Sequence, residues 1–485
     1  MASNFTRRTF FQTAGMAAAA PLLAQNSREL PNIVFVLADD LGWGDLPCNN
    51  PESAVPMVNA NRLASQGTRF IDMHSSSAVC TPSRYSILTG RYCWRTRLQH
   101  GVLNGYSSNL IEPGRMTVPG MLKRAGYYTA GVGKWHLGLG SADPADFSKP
   151  LRPGPLDHGF DYYFGIPASL DMDPYLSFEN DRVVEPASSY TRGAKEPRGY
   201  FWRPGACTPG FNPETVLPEL TRKSVDLVHQ HASGSRPFFL YFAMPSPHTP
   251  WVPAPKFRGV SKAGDYGDYV AEADDALGQV MRAVDANSRH NTIFVFTSDN
   301  GADWKVEDQD RYAHRANGDW KGEKADIWEG GHRIPFLVRW PNHVPEGRVS
   351  NELGCLSDFM TTVAAILGVK LPDDAAEDSY NLLPAWLGTN TRPIRPDIIH
   401  HSISGMFAIR RGNWKLEEGL GSGGFTQPAH VEPGRGGPKG QLYDMARDPE
   451  EKDNLYQKHP EIVDNLATLL EKYKQQGHTR PLGSR

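Results

Sequence analysis

Two long apolar runs dominate the hydrophobic pattern of the chain. Residues 32–38 (NIVFVLA) and 291–298 (NTIFVFTS) are rich in β-branched and aromatic side chains and lack the polar alternation of a strand with one solvent-exposed face. A continuous run of this kind predicts a strand that is buried on both faces of a parallel sheet. The pattern therefore indicates an α/β protein built around a large buried sheet.

Helices and further strands are predicted around these two runs. Shorter apolar runs predict strands at 127–132, 237–243 and 336–339. Periodic apolar positions predict helices at 61–66, 117–124, 221–231, 267–287 and 358–367. Strands that alternate with helices are typical of an α/β fold with a parallel sheet.

The pattern changes near residue 395, where short strands replace the alternation. The elements predicted there are strands 406–410, 414–417 and 441–443, the Gly/Pro-rich loop 419–440 and helix 461–475. A Pro/Asp/Ala-rich linker, 371–378, comes before them. We therefore predict a large domain at 30–375 and a smaller C-terminal subdomain at 395–485.

Both long runs end in polar side chains that can bind a cation. Asp39 and Asp40 follow the first run, and Asp299 and Asn300 follow the second. Ligands in open α/β sheets bind at the carboxyl ends of the strands, and hard oxygen donors suit calcium or magnesium. A solvated loop or helix cap explains one such pair equally well, but the recurrence favours a metal site. Asp45 and Asp303 are interpreted as loop residues only.

The first 24 residues have the composition of an export signal. The pair Arg7-Arg8 precedes aromatic residues and the stretch AGMAAAAPLLA, which is too short to span a bilayer as an ordinary helix. We predict a Tat-type signal peptide at 1–24 and a periplasmic or secreted protein; the alternative is an alanine-rich helix that stays attached. No other apolar run has membrane length, so no membrane association is expected after cleavage.

Composition narrows the possible partners. With 485 residues, 39% of them hydrophobic, the chain can bury a large core. Its formal net charge of −3 argues against a nucleic-acid binder, so any anion site must carry its positive charge locally. Besides Cys80, the cysteines are Cys48, Cys93, Cys207 and Cys355, which form either two disulfides or free buried thiols.

Cys80 begins the run Cys80-Thr81-Pro82-Ser83-Arg84, which predicts the start of a helix. Pro82 lacks an amide hydrogen and has a preset φ, and both properties suit the first turn. The free amides and the positive end of the helix dipole favour negative charge beside Cys80. Arg84, one turn later, shares the same helix face. Residue 80 is thus placed to face an anion; a buried cysteine before a helix-starting proline is the alternative.

Two further runs carry basic and imidazole side chains. In GKWHLG, Lys134 and His136 alternate with Trp135, so an extended backbone places them on one face, where they can bind an anion and transfer a proton. In PSPHTP, prolines flank His248 just after the predicted strand 237–243 and fix its direction.

These runs resemble the type I, formylglycine-dependent sulfatases, and among them the arylsulfatase-A-like enzymes. CTPSR with SILTGR is similar to the C-x-P-S-R…L-T-G-R signature, GKWHLG to G-K-x-H, and GFDYYFGIPAS to G-F…G-I-P-x-S. WKGEKADIWEGGHRIP resembles G-K-x-x-x-x-E-G-G-x-R-x-P. The motifs occur in the family's order between about residues 30 and 480.

The resemblance implies an alkaline-phosphatase-like fold: a doubly wound mixed sheet with helices on both faces, plus a small C-terminal α+β subdomain with an antiparallel sheet. It implies that a formylglycine-generating enzyme converts Cys80 to formylglycine (3-oxoalanine), whose hydrated aldehyde attacks a sulfate ester. It also implies one calcium ion, with the ligands Asp39, Asp40, Cys80, Asp299 and Asn300.

The resemblance assigns roles to further residues. The catalytic residues it implies are Cys80, Arg84, Lys134, His136, His248 and Asp299, with His248 protonating the leaving oxygen and Asp299 as the base. The implied substrate contacts are Lys134, Ser169, His248 and Lys324. One position departs from the family: Glu323 stands where a glycine usually precedes the lysine, and an acid there disfavours an anion unless it points away.

Three functions are compatible with these residues. The first is a sulfuric ester hydrolase that acts on a sulfated sugar or polysaccharide. The second is a phosphate or phosphonate monoester hydrolase of the same superfamily, although the zinc-type phosphatases need histidine ligands that the acid pairs lack. The third is a non-catalytic binder of sulfated glycans with an unoxidised Cys80. The presence of every catalytic position favours the first.

Overall fold

The chain folds around one large sheet, in a computed structural model that describes Met1 and residues 30–232, 234–287 and 291–482. Apart from Met1, the predicted signal peptide at 1–24 lies outside the described residues. The strands, numbered along the chain, are β1 (Asn32–Asp39), β2 (Thr68–Phe70), β3 (Met73–His74), β4 (Tyr128–Lys134), β5 (Tyr162–Ile166), β6 (Phe178–Glu179), β7 (Arg182–Val183), β8 (Ser189–Thr191), β9 (Gly205–Cys207), β10 (Phe238–Pro247), β11 (Thr292–Ser298), β12 (Phe336–Arg339), β13 (Arg348–Ser350), β14 (Gly354–Cys355), β15 (Asp397–His401), β16 (Phe407–Arg411), β17 (Trp414–Glu417) and β18 (Gln441–Asp444). The α-helices are α1 (Val58–Ser65), α2 (Cys80–Thr89), α3 (Val118–Arg124), α4 (Val216–His231), α5 (Gly264–Asn287), α6 (Val306–Tyr312), α7 (Glu329–His332), α8 (Phe359–Leu367), α9 (Leu383–Trp386) and α10 (Pro460–Gln476).

The two apolar runs form adjacent strands at the centre of the sheet, as predicted. Among the described residues this sheet has ten strands in the order β13-β2-β12-β11-β1-β10-β4-β5-β6-β7. The run from β11 to β5 is parallel, and antiparallel pairs on both sides make the sheet mixed. Ile33 of β1 lies opposite Ile293 of β11, and Ala38 lies opposite Ser298. The carboxyl ends of these two strands therefore lie at the same edge.

Helices cover both faces of the sheet, which confirms the predicted fold class. On one face, Val34 and Val36 of β1 join a buried cluster with side chains of α1, α4 and α5. On the other face, Phe35 packs against Phe359 of α8, with ring centroids 4.5 Å apart. Because successive strand residues point to opposite faces, a strand covered on both sides has no polar alternation.

A separate antiparallel sheet forms near the C-terminus. In the described part of the chain its strand order is β15-β16-β17-β18, and every neighbouring pair is antiparallel. Helix α10 contributes Leu466 and Leu470 to the core beneath it. The three predicted strands of this region are confirmed to within one residue, whereas the sequence does not predict β15. The domain boundary between 375 and 395 stays a prediction.

Two further features concern the membrane and the cysteines. Within the described ranges, no helix combines the length and the apolar character needed to cross a membrane. All five cysteines are in these ranges and are free thiols, four of them buried and Cys48 half-buried. Of the two alternatives that the sequence leaves open, the structure has free thiols rather than disulfides.

Candidate active site

The carboxyl ends of β1 and β11 bring four polar side chains into one buried cluster. Asp39, Asp40, Asp299 and Asn300 are each at most 2% exposed. Asp40 has a φ of 64°, in the left-handed region that aspartate tolerates better than most residues. Its backbone N–H donates to Asp299 Oδ1 at 3.2 Å, and the Asn300 side-chain amide donates to Asp40 Oδ1 at 2.7 Å. The sheet register thus joins the two strand ends directly.

Helix α2 begins at Cys80, whose side chain faces this cluster. Pro82 lies in the first turn, where its missing amide hydrogen leaves no bond unmade. Cys80 Sγ lies 3.5 Å from Asp39 Oδ1, and the residue is 2% exposed. Burial raises the pKa of the Cys80 thiol, although Lys134 and Lys324 oppose the shift. Unmodified Cys80 is therefore a neutral thiol rather than a reactive thiolate.

Arg84 shares the α2 face with Cys80 and binds the carboxylate of Asp299. Its Nε and Nη2 donate to Asp299 Oδ2 at 3.0 and 2.7 Å, and its Nη1 donates to the Lys134 carbonyl at 3.1 Å. Burial and the charge of Asp39 raise the pKa of Asp299 to about 6, although Arg84 opposes this shift. Without a bound cation, Asp299 is therefore a stronger base than an ordinary aspartate.

Two lysines pair with the adjacent carboxylates. Lys134, the last residue of β4, donates from Nζ to Asp39 Oδ2 at 2.6 Å, and Lys324 Nζ donates to Asp40 Oδ2 at 2.6 Å. Burial opposes ionisation of Asp39, but Lys134 and the other nearby cations hold its pKa well below the usual range. Gly133 has a φ of 117°, and a Cβ there would lie 1.8 Å from a carbonyl oxygen of β10. A glycine is therefore needed just before Lys134.

Neither Lys321 nor Glu323 disturbs the contact between Lys324 and Asp40. Lys321 lies 4.0 Å from the ring centroid of Trp328, so Lys324 is the lysine of this segment that reaches the acidic cluster. Burial and Asp303 raise the pKa of Glu323 to about 9. Glu323 is therefore protonated at neutral pH, and the departure from the family pattern adds no negative charge beside Lys324.

The extended backbone predicted from Lys134 to His136 is wrong. Strand β4 ends at Lys134, and His136 has a φ of 55° because its N–H turns to donate to the Pro167 carbonyl at 2.9 Å. Its Nε2 lies 2.8 Å from the Leu103 carbonyl, while the buried Nδ1 has no hydrogen-bond partner among the described residues. Burial and the charge of Lys134 hold the pKa of His136 well below its usual value. The ring is therefore neutral and offers Nδ1 as an acceptor.

His248 follows β10 directly and points into the cluster. Its Nε2 lies 3.7 Å from Asp40 Oδ2, and its Nδ1 lies 2.7 Å from the Thr249 carbonyl oxygen. Because Nδ1 faces a carbonyl, it carries a hydrogen. Ser169 lies in the loop after β5 and is buried, and its Oγ has no hydrogen-bond partner in the described ranges. No direct hydrogen bond joins Ser169 to the cluster.

The cluster contains side chains that could hold a metal ion, and its oxygen donors suit calcium. A ligand atom from each of four residues lies within 4.8 Å of the others: Asp39, Asp40, Cys80 and His248. The buried Asn300 Oδ1 has no hydrogen-bond partner among the described residues and remains a free acceptor beside Asp40. Carboxylate and amide oxygens are the ligands that calcium prefers. Asp299 is not one of these four residues, and because Arg84 holds its Oδ2, only its Oδ1 could serve as a ligand.

A second group of ring nitrogens within 4.8 Å of one another belongs to His74, His332 and His400, but it does not suit a metal. The Lys415 ammonium lies 3.1 Å from His332 Nε2. The rings of His332 and His400 stack at 3.7 Å with an interplanar angle of 8°, so one ion cannot lie in both ring planes. His74 Nδ1 instead lies 3.0 Å from His332 Nδ1, within a hydrogen-bonded core.

Asp45 supports the site, although the sequence indicates only a loop residue at this position. It is buried, and its Oδ2 accepts from the Gly42 N–H at 2.7 Å and from the Tyr266 hydroxyl at 2.6 Å. Its Oδ1 lies 2.8 Å from His314 Nε2. Asp45 thereby fixes the turn that follows Asp40. The spacing G-x-x-D, in which an acid caps the N–H three residues earlier, is the one local signal for this role.

Comparisons with known proteins agree with one another. A family model described as Sulfatase matches residues 31–369. The N-acetylgalactosamine-6-O-sulfatase of Bacteroides thetaiotaomicron is 35% identical over 488 residues, which cover 93% of this chain and 94% of that protein. Human arylsulfatase A is 33% identical over 477 residues, which cover 91% and 85%. A solved structure described under the metabolism of multiple glycosaminoglycans by the same bacterium is 34% identical with a TM-score of 0.82, covering 92% of this chain and 99% of that chain.

Proposed function

Because the chain belongs to the sulfatase family, as a type I sulfatase of the alkaline phosphatase superfamily, and is an enzyme that hydrolyses sulfate esters, we propose that it removes a 6-O-sulfate from a sulfated N-acetylgalactosamine unit. The observation that carries the proposal is the single buried cluster in which Cys80 meets Asp39, Lys134, Lys324 and His248. The position of the sulfate is supported by the name of the bacterial relative, which aligns over nearly the whole chain.

Two groups beyond the encoded side chains complete the proposed site. Formylglycine at position 80, made from Cys80 by a formylglycine-generating enzyme, supplies a hydrated aldehyde whose hydroxyl is a nucleophile toward sulfur. One calcium ion, held here by oxygen donors, would supply positive charge that favours a sulfate ester. The residues that would hold this ion, together with residue 80, are Asp39, Asp40, Asp299 and Asn300.

The charged side chains of the site suit a substrate with one negative charge. The three buried carboxylates of Asp39, Asp40 and Asp299 balance three buried cations, which are Arg84, Lys134 and Lys324. A bound divalent ion leaves the site with net positive charge, which favours a sulfate ester. Lys134 and Lys324 each keep further N–H donors for sulfate oxygens, because an ammonium group has three.

Proton transfer falls to His248 and Asp299. When protonated, His248 holds its Nδ1–H on the Thr249 carbonyl and presents Nε2–H to the site, where it can protonate the leaving sugar oxygen. Asp299, which is buried beside position 80 with its Oδ2 held by Arg84, would accept the proton of a hydroxyl at that position. His136, whose Nδ1 has no hydrogen-bond partner among the described residues, would accept a hydrogen bond from a hydroxyl of the hydrated aldehyde at position 80.

Sulfate release from defined sugars tests the proposal. Protein produced together with a formylglycine-generating enzyme should release sulfate from N-acetylgalactosamine 6-sulfate at least about tenfold faster than from the 4-sulfate, because only the former fits the proposed specificity. The peptide that contains residue 80 should be about 18 Da lighter than the thiol form. Cys80→Ala should abolish release, whereas Cys48→Ala, at a half-buried thiol outside the cluster, should retain it.

Two results would contradict the proposal. Faster turnover of an aryl phosphate than of the matching aryl sulfate would indicate a phosphate or phosphonate monoester hydrolase. Binding of sulfated sugars without turnover, by protein whose residue 80 is fully converted and whose calcium is supplied, would indicate a non-catalytic binder.

Export is a separate part of the proposal. The twin-arginine pair and the short apolar stretch that follows support a Tat-type signal at 1–24 and a periplasmic or secreted protein. The protein isolated from the periplasm or medium should begin near residue 25. A protein that retains residues 1–24 there would contradict the prediction.

A further inference from the structure

Residues 189–207 form an ordered hairpin, which we call the cap hairpin. β8 pairs with β9 in antiparallel fashion, and Ala194 forms a bridge with Trp202. The Trp202 indole N–H donates to Thr191 Oγ1 at 3.1 Å. These bonds fix the conformation of residues 192–204, which connect the two strands.

The cap hairpin is basic in a chain that is acidic overall. It carries Arg192, Lys195, Arg198 and Arg203 against the single acid Glu196, a net charge of +3, whereas the whole chain has −3. Arg192 and Lys195 are exposed and have no ion-pair partner among the described residues. These two cations are therefore available to an anionic partner.

The cap hairpin also carries exposed aromatic rings. Tyr190 is 67% exposed and Tyr200 is 37% exposed. The Tyr200 ring contacts the Trp202 ring edge-on, with centroids 4.8 Å apart, which fixes its orientation. An exposed aromatic ring with a polar tip suits the apolar face and the hydroxyl groups of a sugar.

The cap hairpin rests on the loop that carries His248. Trp251, three residues after His248, donates its backbone N–H to the Gly199 carbonyl at 2.8 Å. The Arg198 guanidinium lies 4.7 Å from the Trp251 ring centroid. A Cβ at Gly199 would lie 1.9 Å from the indole, so this contact needs a glycine.

Two more loops of the site hold the same hairpin. Arg198 Nη2 lies 3.0 Å from Asp303 Oδ1, and Asp303 follows Asn300 by three residues. Arg203 pairs with the carboxylate of Asp171, two residues after Ser169, and its N–H donates to the Asp171 carbonyl at 3.1 Å. The hairpin therefore touches three loops that each carry a predicted site residue, and it lies on the rim of the site.

We propose that the cap hairpin binds the sugar units next to the one that loses its sulfate, so that the preferred substrate is an anionic oligosaccharide rather than a single sugar. This inference rests on the proposed function. Arg192 and Lys195 pair with sulfate or carboxylate groups of the neighbouring units, and Tyr190 and Tyr200 stack on their rings.

Removal of the two free cations tests the inference. Relative to wild type, the double variant Arg192→Ala/Lys195→Ala should raise KM about tenfold for a 6-sulfated hexasaccharide at low salt, and this difference should shrink at about 0.5 M salt because exposed charges are screened. For the 6-sulfated monosaccharide, kcat/KM should stay within about twofold of wild type. The matched control is Arg222→Ala/Arg282→Ala, which removes two exposed cations from α4 and α5 (61% and 54% exposed). This control should change neither KM for the hexasaccharide nor kcat/KM for the monosaccharide.

Binding measured without turnover separates the two proposals. In a Cys80→Ala background, the Kd for the same hexasaccharide should rise about tenfold in the double variant and further with Arg192→Glu/Lys195→Glu. An unchanged hexasaccharide Kd, or an equal loss for hexasaccharide and monosaccharide, overturns the role of the cap hairpin and leaves the proposed function intact. Failure of wild type to hydrolyse any sulfated sugar overturns the proposed function, while the binding result still tests the hairpin.

Discussion

Lys324 is held by a strained backbone rather than by its own side chain alone. The next residue, Ala325, has a φ of 79°, which a residue with a Cβ seldom adopts. Its N–H donates to the Ala78 carbonyl at 2.8 Å, and its carbonyl accepts from the Ile403 N–H at 3.0 Å. Strain of this kind persists where the surroundings over-determine it, and it is common at functional sites.

The two lysines of this segment give a matched pair for mutation. Lys324→Ala should lower kcat/KM for the sulfate ester by about 100- to 1000-fold, because it removes the cation that we propose binds the sulfate oxygens. Lys321→Ala should stay within about threefold of wild type, because Lys321 packs on Trp328. Steady-state kinetics on one sulfated sugar measure both. Equal losses in the two variants would show that the segment acts through its fold rather than through Lys324.

The sequence predicts some residues of the site better than others. Motif spacing selects Lys324 over Lys321, and continuous apolar runs place Asp39 and Asp299 at strand ends. The backbone of His136 could not be predicted, because its left-handed conformation depends on a hydrogen bond to Pro167 in the loop after a neighbouring strand. Contacts between segments far apart in sequence leave no local pattern.

At the level of elements, a C-terminal loop braces the turn that carries Lys324. Asp326 Oδ1 accepts from the N–H groups of Phe425 and Thr426 at 2.8 and 3.1 Å. Its Oδ2 accepts from the Thr426 hydroxyl at 2.5 Å and from the Glu323 N–H at 3.0 Å. The Gly/Pro-rich loop at 419–440 is thus joined to the site through one buried carboxylate.

Loss of this carboxylate should affect both stability and activity. Asp326→Ala leaves buried donors unpaired, so it should lower the free energy of unfolding by about 1–3 kcal/mol. It should also lower kcat/KM about tenfold through displacement of Lys324. Asp326→Asn and Thr426→Val, which keep part of the contact, should fall between this variant and wild type. Full kcat/KM in Asp326→Ala, measured well below its Tm, would contradict the role of the brace.

Two elements that depend on contacts between distant segments are not predicted correctly from the sequence. The strand predicted at 237–243 extends through Pro247, because pairing with β1 resumes after a register shift and places Asp39 opposite Pro247. β15 is a five-residue strand that ends in two histidines, and its apolar core has only Ile398 and Ile399. Neither feature can be recognised from a short window of sequence.

At the scale of the whole molecule, a buried histidine network joins the C-terminal sheet to the rest of the fold. His74 lies in β3, His332 in α7 and His400 in β15. The charged groups that surround them are Asp72, Glu329, Arg333, Arg410, Lys415, Glu417 and Glu451. Burial lowers the pKa of His74 and holds the pKa values of His332 and His400 well below the usual 6.5.

These pKa values predict a loss of stability in acid. The unfolded chain binds protons at pH values where the folded histidines stay neutral. The contribution of these histidines to the free energy of unfolding is therefore fully present above pH 6.5 and falls as the pH drops toward the folded-state pKa values. At pH 5 the loss is about 2 kcal/mol for each fully neutral histidine. Urea unfolding at pH 7.5, 6 and 5 measures it. His400→Gln should flatten the pH dependence, and His430→Gln, at an exposed histidine, should not.

The burial of Cys80 has a consequence for how active protein can be made. At 2% exposure and fixed in the first helical turn, this side chain cannot reach the catalytic groups of another enzyme. Any conversion of its thiol must therefore happen while the chain is still unfolded, in competition with folding itself. The fraction converted is then set once, during synthesis, and adding the converting enzyme to purified, folded protein will not raise it.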